Sequence, residues 1–166
     1  MPPFTKILIA NRGEIAIRIA RAAASLGLTS VMVAPKDDAS SPHVAAGDAA
    51  VELPGAGIAA YLDGTAIIAA AKTAGAGAIH PGYGFLSERA DFARAVRAAG
   101  LCFIGPEDAA LDLFGDKLKA RALAQACDVP VLAGTVGAVD VTGAQAFLQA
   151  LGGRPAIIKA VAGGGG

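Results

Sequence analysis

The chain has 166 residues, 14 Lys and Arg against 14 Asp and Glu, and 54% hydrophobic positions. That length suffices for a buried core, and the zero net charge excludes the basic excess of a nucleic-acid binder and the charged blocks of a tail or membrane-surface segment. Cys102 and Cys127 have no Cys-x-x-Cys spacing and no nearby histidine, so they read as small buried hydrophobes in a reducing compartment rather than as metal ligands or a disulfide framework.

The amino terminus, Met1 to Lys6, lacks the apolar stretch of a secretory signal and the Arg- and Ser-rich pattern of a transit peptide. The longest strongly apolar run, Ala66 to Ala71, is too short to cross a bilayer. These features predict a soluble, cytoplasmic protein without nucleic-acid or membrane partners. Lys6 to Ala10 is predicted as the first strand, and Asn11 to Glu14 as the turn into a helix. There Asn11 can cap and Glu14 can return a bond to the cap N–H. Ile15, Ile19, Ala22, Ala23 and Leu26 share one helical face, Arg18 and Arg21 lie off it in solvent, and Gly27 ends the helix.

Thr29 to Ala34, continuous and β-branched, predicts a second strand parallel to the first, because one helix separates the two. Strand, helix, strand implies a right-handed crossover and an α/β fold with a doubly wound, mainly parallel sheet. The first turn offers only Gly13, not the Gly-x-Gly-x-x-Gly of a dinucleotide site, which weighs against a nicotinamide-binding reading. His43 begins a short helical turn after a polar loop and is expected at the surface or at a cap. Ala49 to Leu53 reads as a strand, Leu62 to Ala74 as a helix, and Ala78 to His80 as the next strand.

Beyond that strand, Pro81, Gly82 and Gly84 build a tight loop, and Ser87 is positioned to cap a helix carrying Phe92, Ala95, Val96 and Ala99 on one face. A glycine loop between a strand's carboxyl end and a helix start suits ligand binding, because ligands can approach its backbone. A loop shaped only for packing is the alternative. Glu88 and Asp91 complement the helix's positive end. Leu101 to Ile104 is a further strand, and Glu107 to Phe114 a helix.

A second unit is expected to begin at Gly115-Asp116-Lys117. A lysine in a first helical turn is disfavoured by roughly 0.3 to 1 kcal/mol, so Lys117 calls for Asp116 as cap and counter-ion or for an anionic ligand. The helix runs on to Cys127 with Leu118, Ala122 and Leu123 facing inward. Val129 to Leu132 reads as a short edge strand, since Pro130 cannot donate a ladder bond. Thr142 to Leu151 is a helix and Ala156 to Val161 a strand. Within that last strand Lys159 must meet an anion or solvent. Gly163, Gly164, Gly165 and Gly166 follow, and their N–H groups can wrap a phosphate or serve as a flexible linker.

His80-Pro81-Gly82-Tyr83-Gly84-Phe85-Leu86-Ser87-Glu88 resembles the signature loop of the biotin carboxylases, the ATP-dependent components of acetyl-CoA, other acyl-CoA and pyruvate carboxylases. Ala10 to Ala16, Phe114 to Lys117, and Ile157 to Ala160 ahead of the glycine run match in the same order. The sequence departs from the family at Arg89, at Asp128 and at Val161-Ala162. The resemblance implies a Rossmann-like pre-ATP-grasp domain over residues 1–114 and a truncated start of an ATP-grasp domain over 115–166. It implies an ATP-dependent ligase that activates bicarbonate through carboxyphosphate and carboxylates biotin on a carrier.

In that scheme Lys117, Lys159 and Gly163 to Gly166 hold ATP, while Tyr83, Gly84 and Glu88 face biotin. The magnesium-binding carboxylates and the catalytic residues lie beyond residue 166, so this chain supplies no metal ligand. A biotin carboxyl carrier domain, a carboxyltransferase component and a homodimeric or larger assembly are the implied partners, with the first helix contributing to the dimer interface. The other readings are a nucleotide-binding oxidoreductase domain and a non-catalytic dimerisation module.

Overall fold

The computed structural model describes residues 4–135 and 137–158, and the chain separates into two compact units, one up to Leu111 and one from Asp112. In the first unit β1 (Lys6–Ile9), β2 (Thr29–Pro35), β3 (Ala49–Leu53), β4 (Ala78–His80) and β5 (Cys102–Phe103) form one all-parallel sheet in the order β3-β2-β1-β4-β5. The α/β, doubly wound expectation holds. Chain order runs outward from β1 through β2 to β3, then resumes on β1's other side with β4. The strand order therefore reverses between β1 and β4, the place where an open parallel sheet leaves a crevice at its carboxyl edge.

Both faces of the central strands are covered, which is why β1 and β2 read as nearly continuous apolar runs. The two-residue period sends Leu8 into one cluster with Val31, Val33, Ile67 and Phe92, and Ile9 into another with Met32, Ala16 and Ile19. The second face is covered by α1 (Gly13–Ser25), whose buried stripe is Ala16, Ile19, Ala20 and Ala23. This corrects the predicted helix face: three small alanines let the helix lie close to the sheet, whereas Ala22 is exposed and Leu26, at the C-cap, is 72% exposed.

Other boundaries also move for local reasons. The helix expected over 62–74 is α4 (Gly64–Thr73), and an unforeseen helix, α3 (Gly57–Leu62), precedes it; Asp63 leaves helical geometry between them and caps α4 by accepting from Ala66 N at 3.0 Å. Ser87 is not a cap. The residues after Gly84 make turns, with Ser87 N donating to Gly84 O (2.9 Å) and Arg89 N to Leu86 O (3.2 Å), and α5 (Ala90–Ala98) starts after Arg89. His43, expected at the surface or at a cap, is buried within α2 (Pro42–Ala45), whose N-cap is Ser41. Both cysteines are exposed rather than buried; on the edge strand β5 the two-residue period turns Phe103 inward and Cys102 out.

The last element beginning in the first unit is α6 (Asp108–Phe114). The second unit holds α7 (Lys117–Ala126) and α8 (Val141–Ala150), each started by an aspartate. Asp116 accepts from Leu118 N and Lys119 N, and Asp140 from Gly143 N at 2.8 Å. Neither helix has a buried residue, so the inward face expected for Leu118, Ala122 and Leu123 is not closed over. Val129 to Leu132 forms no strand, and Leu132 is 89% exposed. Ala156 to Ile158 also lacks a ladder, and the rest of that expected strand lies outside the described residues.

Candidate functional site

At the crevice the β1–α1 turn and the β4–α5 loop are joined. Ala10 N donates to His80 O at 2.9 Å, extending the β1–β4 ladder to the last residue of β4. Asn11, a residue 3% exposed, then leaves the strand. Its amide donates to Pro81 O at 2.7 Å and Tyr83 O at 2.9 Å, while its Oδ1 accepts from Arg12 N at 2.9 Å. Both N–H groups of the amide are thereby used, on carbonyls about seventy residues away in sequence. This overturns the capping role foreseen for Asn11. The N-cap of α1 is Arg12, which makes no side-chain cap bond.

Glu14 does not complete a capping box either. Its Oε2 accepts from Tyr83 Oη at 2.7 Å, and this bond to a carboxylate raises the pKa of the exposed Tyr83 phenol. Tyr83 is thus gripped at both ends, its carbonyl by Asn11 and its hydroxyl by Glu14.

Gly82 is required twice over. It sits at φ +70°, and a Cβ there would come within 2.7 Å of Asn11 Nδ2. Its N–H donates to His80 Nδ1 at 3.0 Å, so that nitrogen is unprotonated and the imidazole proton resides on Nε2. Burial pushes the His80 pKa down, in agreement with this neutral ring. Gly84 also has a positive φ, and nothing lies within 4 Å of where its Cβ would be. Phe85 adopts φ +46° without being glycine, stacks on Tyr61 with ring centroids 5.7 Å apart, and precedes the buried Leu86.

The loop therefore turns Phe85 and Leu86 toward the protein and leaves Tyr83, Gly84 and Glu88 each exposed. A 63%-exposed aromatic ring beside an unobstructed glycine backbone is a surface a flat, polar-edged ring can lie against. Glu88 lies outside α5, whose first turn is served by Asp91 paired with Arg89 at 2.9 Å.

Of the residues expected at a nucleotide, Lys117 occupies the first position of α7 directly after the Asp116 cap. The N–H groups of Lys119 and Leu118 hold the Asp116 carboxyl below the usual carboxylate range. Lys159, Gly163, Gly164, Gly165 and Gly166 lie outside the described residues. Sequence reasoning passed over Asn11 and Glu14 as site residues because a local cap explained both. The available signal was an amide and a carboxylate placed where β1 ends, opposite a loop of glycines with free carbonyls.

A doubly wound, all-parallel sheet whose β4–α5 loop is pinned from the β1–α1 turn is the architecture of an open α/β domain. Residues 3–111 match the family described as "Biotin carboxylase, N-terminal domain", and the chain belongs to that family. It is 46% identical over 168 residues to pyruvate carboxylase of Schizosaccharomyces pombe, covering 98% of this chain and 14% of that protein.

Among solved structures, it superimposes on the biotin carboxylase domain of a single-chain bacterial carboxylase with a TM-score of 0.86 and 57% identity, covering 90% of this chain and 35% of that one. The biotin carboxylase domain dimer of Hydrogenobacter thermophilus 2-oxoglutarate carboxylase, in complex with MgADP, ADP and bicarbonate, matches with a TM-score of 0.90 and 39% identity over 98% of this chain and 36% of that one. The chain thus spans about a seventh of the curated relative and about a third of the structural ones.

Proposed function

We propose that this chain is the front part of a biotin carboxylase and that its β4–α5 loop presents Tyr83, Gly84 and Glu88 to the ring of carrier-bound biotin. The observation that carries this reading is the loop itself: an exposed tyrosine and an open glycine, held by Asn11 and Glu14 at the strand-order reversal of the sheet. A ring lying on Tyr83 would keep its polar edge toward the loop backbone and Glu88. Residues 1–114 form the pre-ATP-grasp domain in this reading, and 115–166 begin the ATP-grasp domain. Lys117, Lys159 and Gly163 to Gly166 hold ATP phosphates, where cations and backbone N–H groups offset charge during phosphoryl transfer.

When bound, ATP with Mg2+ supplies the phosphoryl group that activates bicarbonate, and biotin accepts the carboxyl group. The carboxylates that bind the metal and the catalytic residues would come from sequence following residue 166. A carrier domain and a carboxyltransferase are the corresponding partners. The exposed flank of α1, where Glu14, Ile17, Arg18 and Arg21 line a shallow groove, offers a surface for a homodimer. Placement in the cytoplasm is part of the same proposal; among the described residues no helix is long and apolar enough to cross a membrane. The β1–α1 turn is filled by the Asn11 side chain rather than opened by glycines, which disfavours a nicotinamide-binding domain.

The test is Tyr83→Ala in the full-length carboxylase. An increase of about tenfold or more in the KM for biotin, corresponding to roughly 1.4 kcal/mol, is expected with the KM for ATP unchanged. An unchanged KM for biotin would remove Tyr83 from the site. Lys159→Ala should do the reverse, raising the KM for ATP.

A further inference from the structure

Behind the exposed face of the loop lies a polar cluster that no role has yet absorbed. Tyr61, in α3, is 1% exposed, and its hydroxyl donates to Asp38 Oδ2 at 2.7 Å. Asp38 also accepts from Arg12 Nε at 2.9 Å and Nη2 at 3.2 Å, and from the Ser41 hydroxyl. The Arg12 guanidinium returns to the same tyrosine, 5.8 Å from its ring centroid. His43 Nε2 stands 3.3 Å from both Tyr61 Oη and Val33 O. Val33 O can only accept and the tyrosine proton is committed to Asp38, so His43 carries its proton on Nε2 and adds a third constraint on the hydroxyl.

These contacts hold the Asp38 carboxyl well below the usual carboxylate range, with Arg12 the largest cause, while burial and then Asp38 push the Tyr61 phenol up. A phenylalanine would bury the same ring. The hydroxyl adds an anchor that fixes where the ring lies.

What that ring touches is Phe85, stacked with 12° between the planes. Phe85 is one of two described non-glycine residues with a positive φ, a conformation that costs of order 1–3 kcal/mol and persists where surrounding contacts over-determine it. We infer that Tyr61, oriented by Asp38 and Arg12, is a positioning residue for the β4–α5 loop. By holding Phe85 in its left-handed conformation it fixes the direction in which the neighbouring Tyr83 and Gly84 face. Arg12 stands next to Asn11, so one turn grips the loop twice: directly through the asparagine, and through the arginine by way of Asp38 and Tyr61. The ordering of the loop does not depend on the proposed function; its consequence for biotin does.

Amide hydrogen exchange on the 166-residue chain separates these. In Tyr61→Leu the amides of Ser87 and Arg89, which close the turns around Phe85, should exchange about tenfold faster while Leu8 and Val33 in the sheet keep their protection. Tyr61→Phe, which keeps the stack and loses the anchor, should give about threefold. Should Tyr61→Leu fail to fold, Phe85→Leu breaks the stack from the loop side and should speed the same two amides. Unchanged loop exchange in the leucine variant that folds, or an equal rise at Leu8 and Val33, would overturn the inference, since the tyrosine would then be ordinary core. Kinetics on the full-length enzyme supply the independent arm. Faster loop exchange with an unchanged KM for biotin would leave the positioning role standing and refute the proposed use of the loop.

Discussion

The unit up to Leu111 and the unit from Asp112 obey different rules. In the first, strands and helices bury one another around Leu8, Ile9, Val33, Ile67 and Ile79, each fully buried. In the second, α7 and α8 form without burying a single residue, and both start at an aspartate that accepts backbone N–H bonds. Helices satisfy their own backbone and need only a cap to be placed; strands need a neighbour. That difference matches the contrast between the helix and strand limits expected after Asp112. Both helices are present within a residue or so of their predicted limits, whereas the segment at Val129 to Leu132 pairs with no strand among the described residues.

Substitutions in the two units should separate this contrast by size. Ile67→Ala opens a void in a completely buried position and should cost about 2–5 kcal/mol in urea unfolding. Leu132→Ala, at an exposed position, should stay within about 0.5 kcal/mol. A comparable loss at both would mean that the second unit has a core of its own. Next in size, Asn11→Ala strips two carbonyls of their donors and should cost about 1–3 kcal/mol. Glycine-loop amides in that variant should lose protection before the sheet does. Smaller again, Asp116→Ala and Asp140→Ala remove caps worth about 0.5–2 kcal/mol each. Their effect should show as lost helicity by circular dichroism, with the unfolding of the first unit unmoved.

Where the sequence was legible, the signal was local. Ala49 to Leu53 and Ala78 to His80 are strands with the limits their composition suggests, and the order of strand and helix was enough for the parallel, doubly wound sheet. The loop at His80 to Glu88 could be read as a candidate site from its glycines. Its supports could not. Asn11 reaches carbonyls some seventy residues on, and Asp38, Tyr61 and Phe85 meet from three separate segments. A local cap was a sufficient account of Asn11 and Glu14, so nothing in the one-dimensional pattern asked for a second one. His43 has no ligand-like companion in sequence, which points to a surface or a cap; its partners in space are Val33 and Tyr61, which lie ten and eighteen residues away in the chain.

Acid should sharpen the comparison, since both histidines, His43 and His80, lie before Leu111 and so do both tyrosines. Burial lowers the pKa of His80, and its Nδ1 accepts a bond from Gly82 that a protonated ring could not accept. The unfolded chain takes up this proton near the ordinary value of about 6.5. Below that pH the unfolded state binds more protons than the folded one, so stability falls as pH drops, until the folded His80 is itself protonated. Tyrosine fluorescence during urea unfolding, which reports the first unit alone, should therefore show lower stability at about pH 5.5 than at about pH 7.5. His80→Gln should flatten that slope. At still lower pH Asp38, Asp48 and Asp91, whose pKa values are depressed, lose their contributions as pH falls through their folded values, and in the second unit Asp116 does the same. Helix content of the second unit should consequently hold between pH 7.5 and 5.5 while the first weakens, the two values being about those of the histidine range. An undiminished slope in His80→Gln would place the responsible proton on another group of the first unit and remove the His80–Gly82 bond from the account of how the loop is held.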